Sequence, residues 1–150
     1  MRRYNDNPFY DFVLAWSGDP IPSTRSGYKN LPTGGIVLNP ETPSVHGFRK
    51  TVREAFRKYP QFKKPIKGRV LISLAIGLTQ KEYQARDIDN MVKSLLDALK
   101  TVVYYDDRQV DALHVVKYES DYEIWNIGIK KLRKKDPLWH FPQLYLESAY

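Results

Sequence analysis

The feature that most constrains the fold is an almost continuous apolar run over residues 69–78, which reads Arg-Val-Leu-Ile-Ser-Leu-Ala-Ile-Gly-Leu. A strand with one face in water alternates apolar and polar residues, and this run does not alternate. It therefore predicts a central strand that is buried on both faces. A chain of 150 residues with 42% hydrophobic content is long enough to build such a core as one domain.

The remaining elements follow from hydrophobic periodicity and turn residues. Further strands are predicted at 9–16, 102–105, 110–118 and 122–132, and the last two are expected to pair with each other across 119–121. A helix is predicted over 45–59, ended by Pro60. Residues 18–43 form a long loop with a short hairpin around Gly34 and Gly35 that reaches Ile36–Leu38. The core spans about 9–133, and the aromatic tail at 136–150 packs on the domain or on a second subunit.

A second helix is predicted to begin near Asp89. At roughly 100° per residue its apolar side chains fall on one side and its polar side chains on the other. The first group is Val92, Leu95, Leu96 and Leu99, and the second is Asp89, Asn90, Lys93, Asp97 and Lys100. Asp89 is the expected N-cap and Asp87 precedes the helix in extended chain. Capping alone does not need both aspartates.

A second acidic pair, Asp106 and Asp107, follows the strand predicted at 102–105. It returns close to Asp87 and Asp89 if that strand lies beside the helix start. Like charges held close destabilise a fold unless they share a cation, and Mg²⁺ binds through one or two carboxylates, waters and substrate phosphate oxygens. Lys93 lies four residues after Asp89, on the same helix face. The pattern predicts a metal-dependent site for phosphoryl transfer.

The overall charge indicates the kind of partner. The formal net charge of +7 favours a polyanion, and an acidic cluster in a basic protein is what a metal-dependent enzyme acting on a phosphate polymer requires. The absence of cysteine excludes disulfides, thiolate metal sites and a cysteine nucleophile. No apolar run approaches membrane-spanning length, and the first residues lack a signal-type apolar stretch, so we expect a cytoplasmic protein without membrane contact.

Several charged residues have a structural interpretation beside a functional one. The basic residues of the helix at 45–59 are either a solvated face or phosphate contacts, and both interpretations stay open. Asp97 is interpreted as a salt-bridge partner of Lys93 or Lys100. The histidines are not arranged as a metal-binding set and are interpreted as surface residues, with His114 a candidate DNA contact; they are His46, His114 and His140.

Three segments resemble the signature of the RusA family of Holliday junction resolvases. The family pattern is Asp-x-Asp-Asn-x-x-Lys, then Leu/Phe-Asp-Ala-Leu, then Asp-Asp-x-Gln. The matching segments here are Arg86-Asp87-Ile88-Asp89-Asn90-Met91-Val92-Lys93, Leu96-Asp97-Ala98-Leu99 and Asp106-Asp107-Arg108-Gln109-Val110, continued by Val115-Val116-Lys117. The chain departs from the pattern at 23–29, where the basic loop of many relatives is reduced.

The resemblance implies a small α+β domain, with a mixed sheet of about four strands and two main helices. It implies a homodimer that resolves four-way DNA junctions by paired nicks in recombination and repair, using Mg²⁺ with Mn²⁺ as a substitute. Asp87, Asp89 and Asp107 would bind the metal and Lys93 would assist the chemistry. Asp106 is a cap beside the ligand or, alternatively, a further ligand. The candidate DNA contacts are Arg25, Lys29, Arg49, Lys50, Arg53, Arg86, Arg108, His114 and Lys117.

Two other functions fit parts of the sequence. A non-catalytic protein of the same fold would bind branched DNA without cutting it. The Asp-x-Asp motif at 87–89 also occurs in metal-dependent glycosyltransferases, but those enzymes need a larger nucleotide-binding domain than this chain supplies.

Overall fold

The computed structural model describes residues 2–3, 9–18, 20–22, 28–30, 32–33, 36–38 and 43–134. Their elements are, in chain order, β1 (Arg2–Arg3), β2 (Phe12–Ser17), β3 (Tyr28–Asn30), β4 (Ile36–Leu38), α1 (Pro43–Arg57), β5 (Val70–Leu78), α2 (Gln80–Ala85), α3 (Ile88–Leu99), β6 (Val110–Glu119) and β7 (Ile124–Lys131). Short 3-10 turns occupy Pro60–Phe62 and Asp107–Gln109. The predicted α+β class, with four main strands and two main helices, is confirmed.

The main sheet has the strand order β1-β2-β7-β5-β6. Its centre is β5, in which all nine residues are buried, as the apolar run predicts. Strand β6 lies parallel to β5, and β7 lies antiparallel to it on the other side. The parallel neighbour requires a crossover, which α2 and α3 provide. In the described part of the chain, β6 is one of the two edge strands of this sheet, and β1 is the other.

The predicted hairpin between the last two strands is wrong. Strands β6 and β7 do not pair with each other, because β5 lies between them. Their connection passes the end of β5, where the Ser120 amide donates to the Leu78 carbonyl at 2.8 Å. A strand that is apolar on both faces and fully buried needs a neighbour on each edge, so the shortest connection in sequence does not decide the pairing.

The strand predicted at 102–105 is also wrong. Thr101 has a positive φ of 69°, and the amides of Val102 and Val103 donate to the Leu99 carbonyl, so the segment is a turn. Tyr104 alone forms isolated bridges, to Ile66 and Lys100. Val102, Val103 and Tyr104 are nevertheless buried. Their hydrophobicity therefore serves the core and not a sheet ladder.

Other predicted boundaries shift by a few residues. The first strand starts at Phe12 and not at 9, and the first helix spans Pro43–Arg57 and not 45–59. The polar segment after Thr79 forms the short helix α2, which was not predicted. The predicted short hairpin is confirmed, since β3 and β4 pair antiparallel. The predicted tail at 136–150 lies outside the described residues.

The helices cover one face of the sheet. The apolar side of α3 and residues of α1 pack there on the strands, in a core that includes Phe12, Leu14, Val52, Phe56, Ile72, Leu74, Met91, Leu95, Leu99 and Ile127. Two arginines of α1 join the helices. Arg53 donates to the carbonyls of Ala98 and Asp97 at 3.2 and 3.0 Å, and Arg49 pairs with the Asp97 carboxylate at 2.6 Å. These contacts hold the end of α3 in place.

The opposite face is packed around Tyr10, Val13, Leu71, Ala75 and Ala112. The Tyr10 hydroxyl donates to Ser73 Oγ at 2.6 Å, and burial raises the pKa of this phenol. The ring of Tyr10 lies against Gly128, where an added Cβ would come within 2.8 Å of it. Glycine is needed at that position because the ring occupies the space of a side chain.

Candidate active site

The first acidic segment is placed by the start of α3. Asp87 is the N-cap, in extended conformation with φ −85° and ψ 138°, and its carbonyl accepts the Met91 amide at 3.2 Å. The expectation that Asp89 is the N-cap is wrong, because the helix begins at Ile88 and Asp89 lies in its first turn. The Asp87 side chain makes no capping hydrogen bond. A carboxylate near a helix N-terminus is electrostatically favourable, which makes both positions tolerable.

The carboxylate oxygens of Asp87 and Asp89 are available to coordinate a metal ion. Asp87 and Asp89 are exposed, and neither side chain forms a hydrogen bond or ion pair with the described residues. Lys93 is also exposed and lies one helical turn after Asp89, without a carboxylate partner among the described residues. Two carboxylates and an ammonium group are therefore presented to solvent from one end of α3.

The second acidic segment is a 3-10 turn with a capping box. Asp106 Oδ1 accepts the Arg108 amide at 3.0 Å and Arg108 Nε at 2.9 Å. The hydrogen bonds from Arg108 lower the pKa of the Asp106 carboxyl. Asp106 is thus engaged in shaping the turn, while Asp107, the first residue of the turn, is exposed.

Gln109 ties this turn to the neighbouring chain. Its carboxamide oxygen accepts the amides of Tyr105 and Asp106 at 2.8 and 2.9 Å, and its nitrogen donates to the carbonyls of Ile66 and Gly68 at 2.7 and 2.8 Å. A glutamine side chain offers two donor hydrogens and one acceptor oxygen with two lone pairs. All of this capacity is used, so the position of the acidic turn is well defined.

An open pocket of about 450 Å³ lies between α3 and β6. Asp89 and Asp107 both line it, together with Lys93 and Asp97, while its apolar lining is Ile88, Val92, Leu96, Leu113 and Val115. Asp87 directly precedes the lining residue Ile88 in the chain and does not itself line the pocket. The predicted convergence of the two acidic segments is therefore observed for Asp89 and Asp107.

The carboxylates do not form a closed cage. Among the described residues, no three His, Asp or Glu side chains are grouped closely enough to hold a metal ion by themselves. Mg²⁺ uses one or two carboxylates and completes its octahedron with waters and phosphate oxygens, and it rarely has an all-protein cage. The carboxylate oxygens of Asp87 and Asp89, together with Asp107, which lines the same pocket as Asp89, fit that kind of binding.

Two neighbouring groups have structural roles. The Tyr104 hydroxyl donates to the Leu96 carbonyl at 2.9 Å. Burial, and then the nearby carboxylates of Asp107 and Asp97, raise the pKa of this phenol, so it stays protonated and acts as a donor. Lys100 Nζ lies 3.4 Å from Asp107, but the side chains are 38% and 46% exposed, so this pair is weak.

Asp97 has the predicted structural role with a different partner. Its carboxylate pairs with Arg49 of α1 and not with Lys93 or Lys100 on its own helix. The side chains of Arg49 and Asp97 are only 22% and 28% exposed, so the pair lies where the two helices cross. Periodicity within one helix could not reveal an ion pair between helices.

Several candidate DNA contacts are used inside the domain. The guanidinium of Arg53 binds carbonyls at the end of α3. Arg86 donates to the Ile21 carbonyl at 3.0 Å and pairs with Glu82. Lys117 donates to the carbonyls of Tyr83 and Arg86. Arg49 is engaged with Asp97, as above.

The remaining candidates differ in exposure. Lys50 is exposed on α1, and the Arg108 side chain is 90% exposed within the acidic turn. His114 is half-buried on β6. Lys29 lies in β3, and Arg25 lies outside the described residues. Of the candidates whose side chains are described, Lys50 and Arg108 are therefore the ones that remain exposed to solvent.

Sequence reasoning missed the role of Gln109. Its signal was present, since an Asp followed three residues later by Gln is the pattern of a capping box. The structure contains that box, with Asp106 as the N-cap and Gln109 as its partner. The additional bonds to Ile66 and Gly68 connect residues more than forty positions apart, and no local pattern predicts them.

The chain matches the sequence model of a known protein family. The sequence model of the family described as Endodeoxyribonuclease RusA matches residues 17–130, which is most of the chain. The comparison with curated proteins returned no match. In addition, no helix in the described part of the chain is long and apolar enough to cross a membrane.

Proposed function

The chain belongs to the RusA family of endodeoxyribonucleases, and from this premise we propose that it is a Mg²⁺-dependent enzyme that resolves four-way DNA junctions. One observation carries the proposal. Asp89 from the start of α3 and Asp107 from the turn before β6 line the same pocket, with Lys93 beside them. A basic protein that presents carboxylates at one pocket matches the needs of phosphodiester hydrolysis.

The proposed roles follow from position. Asp89 and Asp107, with Asp87 at the helix start, would hold Mg²⁺ through carboxylate oxygens. The metal, when bound, supplies an activated water and neutralises charge on the phosphoryl oxygens. Lys93 would donate to a phosphoryl oxygen as negative charge builds up on it, because its ammonium is exposed at the same pocket. Mn²⁺ should substitute, since it accepts the same oxygen ligands.

We assign the DNA backbone to the surface around this pocket. Lys50 and Arg108 are exposed and remain candidates for phosphate contact. Neutralising phosphates releases counterions, so the affinity for junction DNA should fall steeply as salt increases.

The paired nicks would come from a homodimer. Ile88, at the start of α3, and Leu113, on the edge strand β6, are large apolar side chains that are 39% and 43% exposed on the pocket wall. Apolar surface and an unpaired strand edge are both features that a partner subunit can cover. A two-fold dimer presents two equivalent sites to a junction of matching symmetry. Sedimentation with Leu113→Lys as the variant tests this part separately.

The test is cleavage of a labelled four-way junction by matched aspartate variants. We expect Asp89→Asn and Asp107→Asn to lose nicking by at least about 100-fold, while junction binding in Ca²⁺ survives. Asp121→Asn is the control, because Asp121 is exposed in the connection between β6 and β7 and should nick as the wild type does. Binding without nicking by the wild type under Mg²⁺ and Mn²⁺ would favour the non-catalytic function instead.

A further inference from the structure

Lys117 lies near the end of β6, and its ammonium is committed to the chain that leads into α3. It donates to the carbonyl oxygens of Tyr83 and Arg86 at 3.0 and 2.9 Å. It also lies 4.4 Å from the centroid of the Tyr83 ring, a cation–π contact. The side chain is half-buried. An ammonium group has three donor hydrogens, and two of them bind these carbonyl oxygens.

The Arg86 carbonyl belongs to the peptide group that continues into Asp87. A peptide group is planar, so the direction of the carbonyl also sets the direction of the bond from the Asp87 nitrogen to its Cα. Helix α2 ends at Ala85, and α3 begins at Ile88. The segment between these helices is short, and Lys117 binds its first carbonyl. Losing that bond would free the peptide plane on which the orientation of Asp87 depends.

We propose that Lys117 is a positioning residue for Asp87 and not a DNA contact. This inference rests on the proposed function, in which Asp87 is a metal ligand. The lysine touches neither the metal nor the substrate. It fixes the backbone that carries a ligand, as outer residues around metal sites orient the ligands themselves.

The chain contains a matched control in Lys130 on β7. Lys130 Nζ donates to the Phe9 carbonyl at 3.1 Å and lies 4.7 Å from the centroid of the Phe9 ring. The chemistry is the same as at Lys117, namely an ammonium that binds a carbonyl over an aromatic ring. Its carbonyl partner leads to no candidate ligand. The variants Lys117→Met and Lys130→Met therefore remove contacts of the same kind, namely two carbonyl bonds and a ring contact at Lys117 and one carbonyl bond and a ring contact at Lys130. They differ in what those contacts hold.

The measurement is a titration of the full chain with Mn²⁺ in the absence of DNA. Binding is detected as the loss of the EPR signal of free Mn²⁺. Lys117→Met should weaken Mn²⁺ binding by about tenfold or more, and Lys130→Met by less than about twofold. The Mn²⁺ concentration that gives half-maximal junction nicking should rise in parallel for Lys117→Met alone. Lys117→Arg keeps a cation with several donors and should recover most of the affinity.

Urea unfolding accompanies each variant. If the Lys117→Met variant does not fold, the Lys117→Gln variant is measured in its place. The glutamine side chain keeps a hydrogen-bond donor but is too short to reach both carbonyls. Equal Mn²⁺ affinity in Lys117→Met and wild type would overturn the inference, and so would an equal loss in Lys130→Met. A wild type that neither binds Mn²⁺ nor nicks junctions would instead overturn the proposed function.

Discussion

Replacing Gln109 by alanine removes four hydrogen bonds at once, and the cost can be worked out from their environments. The bonds from the Asp106 amide and to the Ile66 carbonyl are partly buried, and each contributes roughly 1 kcal/mol net. The bonds with Tyr105 and Gly68 are exposed, so water largely replaces them. We therefore expect Gln109→Ala to lower the free energy of unfolding by about 2–3 kcal/mol.

The assay is urea unfolding followed by tryptophan fluorescence. With a slope of about 2 kcal/mol per M, the midpoint should fall by about 1–1.5 M. Gln84→Ala is the control, because Gln84 is exposed on α2 and should change stability by less than about 0.5 kcal/mol. Junction nicking by Gln109→Ala should also fall, since the turn that carries Asp107 loses its anchor. An unchanged midpoint would refute the reasoning that the carboxamide holds this turn.

Two further predictions concern packing and pH. Gly128→Ala should destabilise the fold by about 1–3 kcal/mol, because its Cβ would lie 2.8 Å from the Tyr10 ring. Gly47→Ala has open space inside α1 and should stabilise the fold by about 0.5–1 kcal/mol. The urea midpoints of the two variants test this difference, and a lower midpoint in both would contradict it. Arg108 lowers the Asp106 pKa from its ordinary value of 3.8, so this carboxylate stabilises the fold fully above that value and less as the pH falls through its lower folded-state pKa. Arg108→Ala should return the pKa towards 3.8, as NMR titration of the side-chain carboxyl carbon would show.

The sequence predicted the elements whose patterns are long. The apolar run of β5 and the amphipathic pattern of α3 each extend over many residues, and both elements formed within one or two residues of expectation. Short apolar segments were less informative. Val102, Val103 and Tyr104 have high strand propensity, yet their burial is satisfied by a turn against the core.

For the candidate site, the sequence predicted that the two acidic segments come together. The convergence of Asp89 and Asp107 on one pocket follows the expected return of the chain, although the route is a turn and not a strand. What could not be predicted are the contacts between distant segments. Arg49 with Asp97 and Gln109 with Ile66 each join parts of the chain more than forty residues apart, and periodicity reports only on neighbours within one element.

The same limit explains the candidate DNA contacts. A basic residue in sequence has no visible partner, so surface attraction to phosphate is its simplest interpretation. In the structure, Arg53 and Lys117 bind backbone carbonyls at helix ends. Cations are favoured there because helix carbonyls lack partners and the helix dipole is negative.

The most direct test of the central claim compares a four-way junction with a linear duplex of the same sequence, incubated with the wild-type chain in Mg²⁺ and in EDTA. We predict symmetric nicks near the junction centre in Mg²⁺, little cutting of the duplex, and none of either substrate in EDTA. Equal cutting of junction and duplex would contradict structural selectivity. Cutting that persists in EDTA, or a junction left intact in both Mg²⁺ and Mn²⁺, would contradict the proposal that the chain is a metal-dependent nuclease.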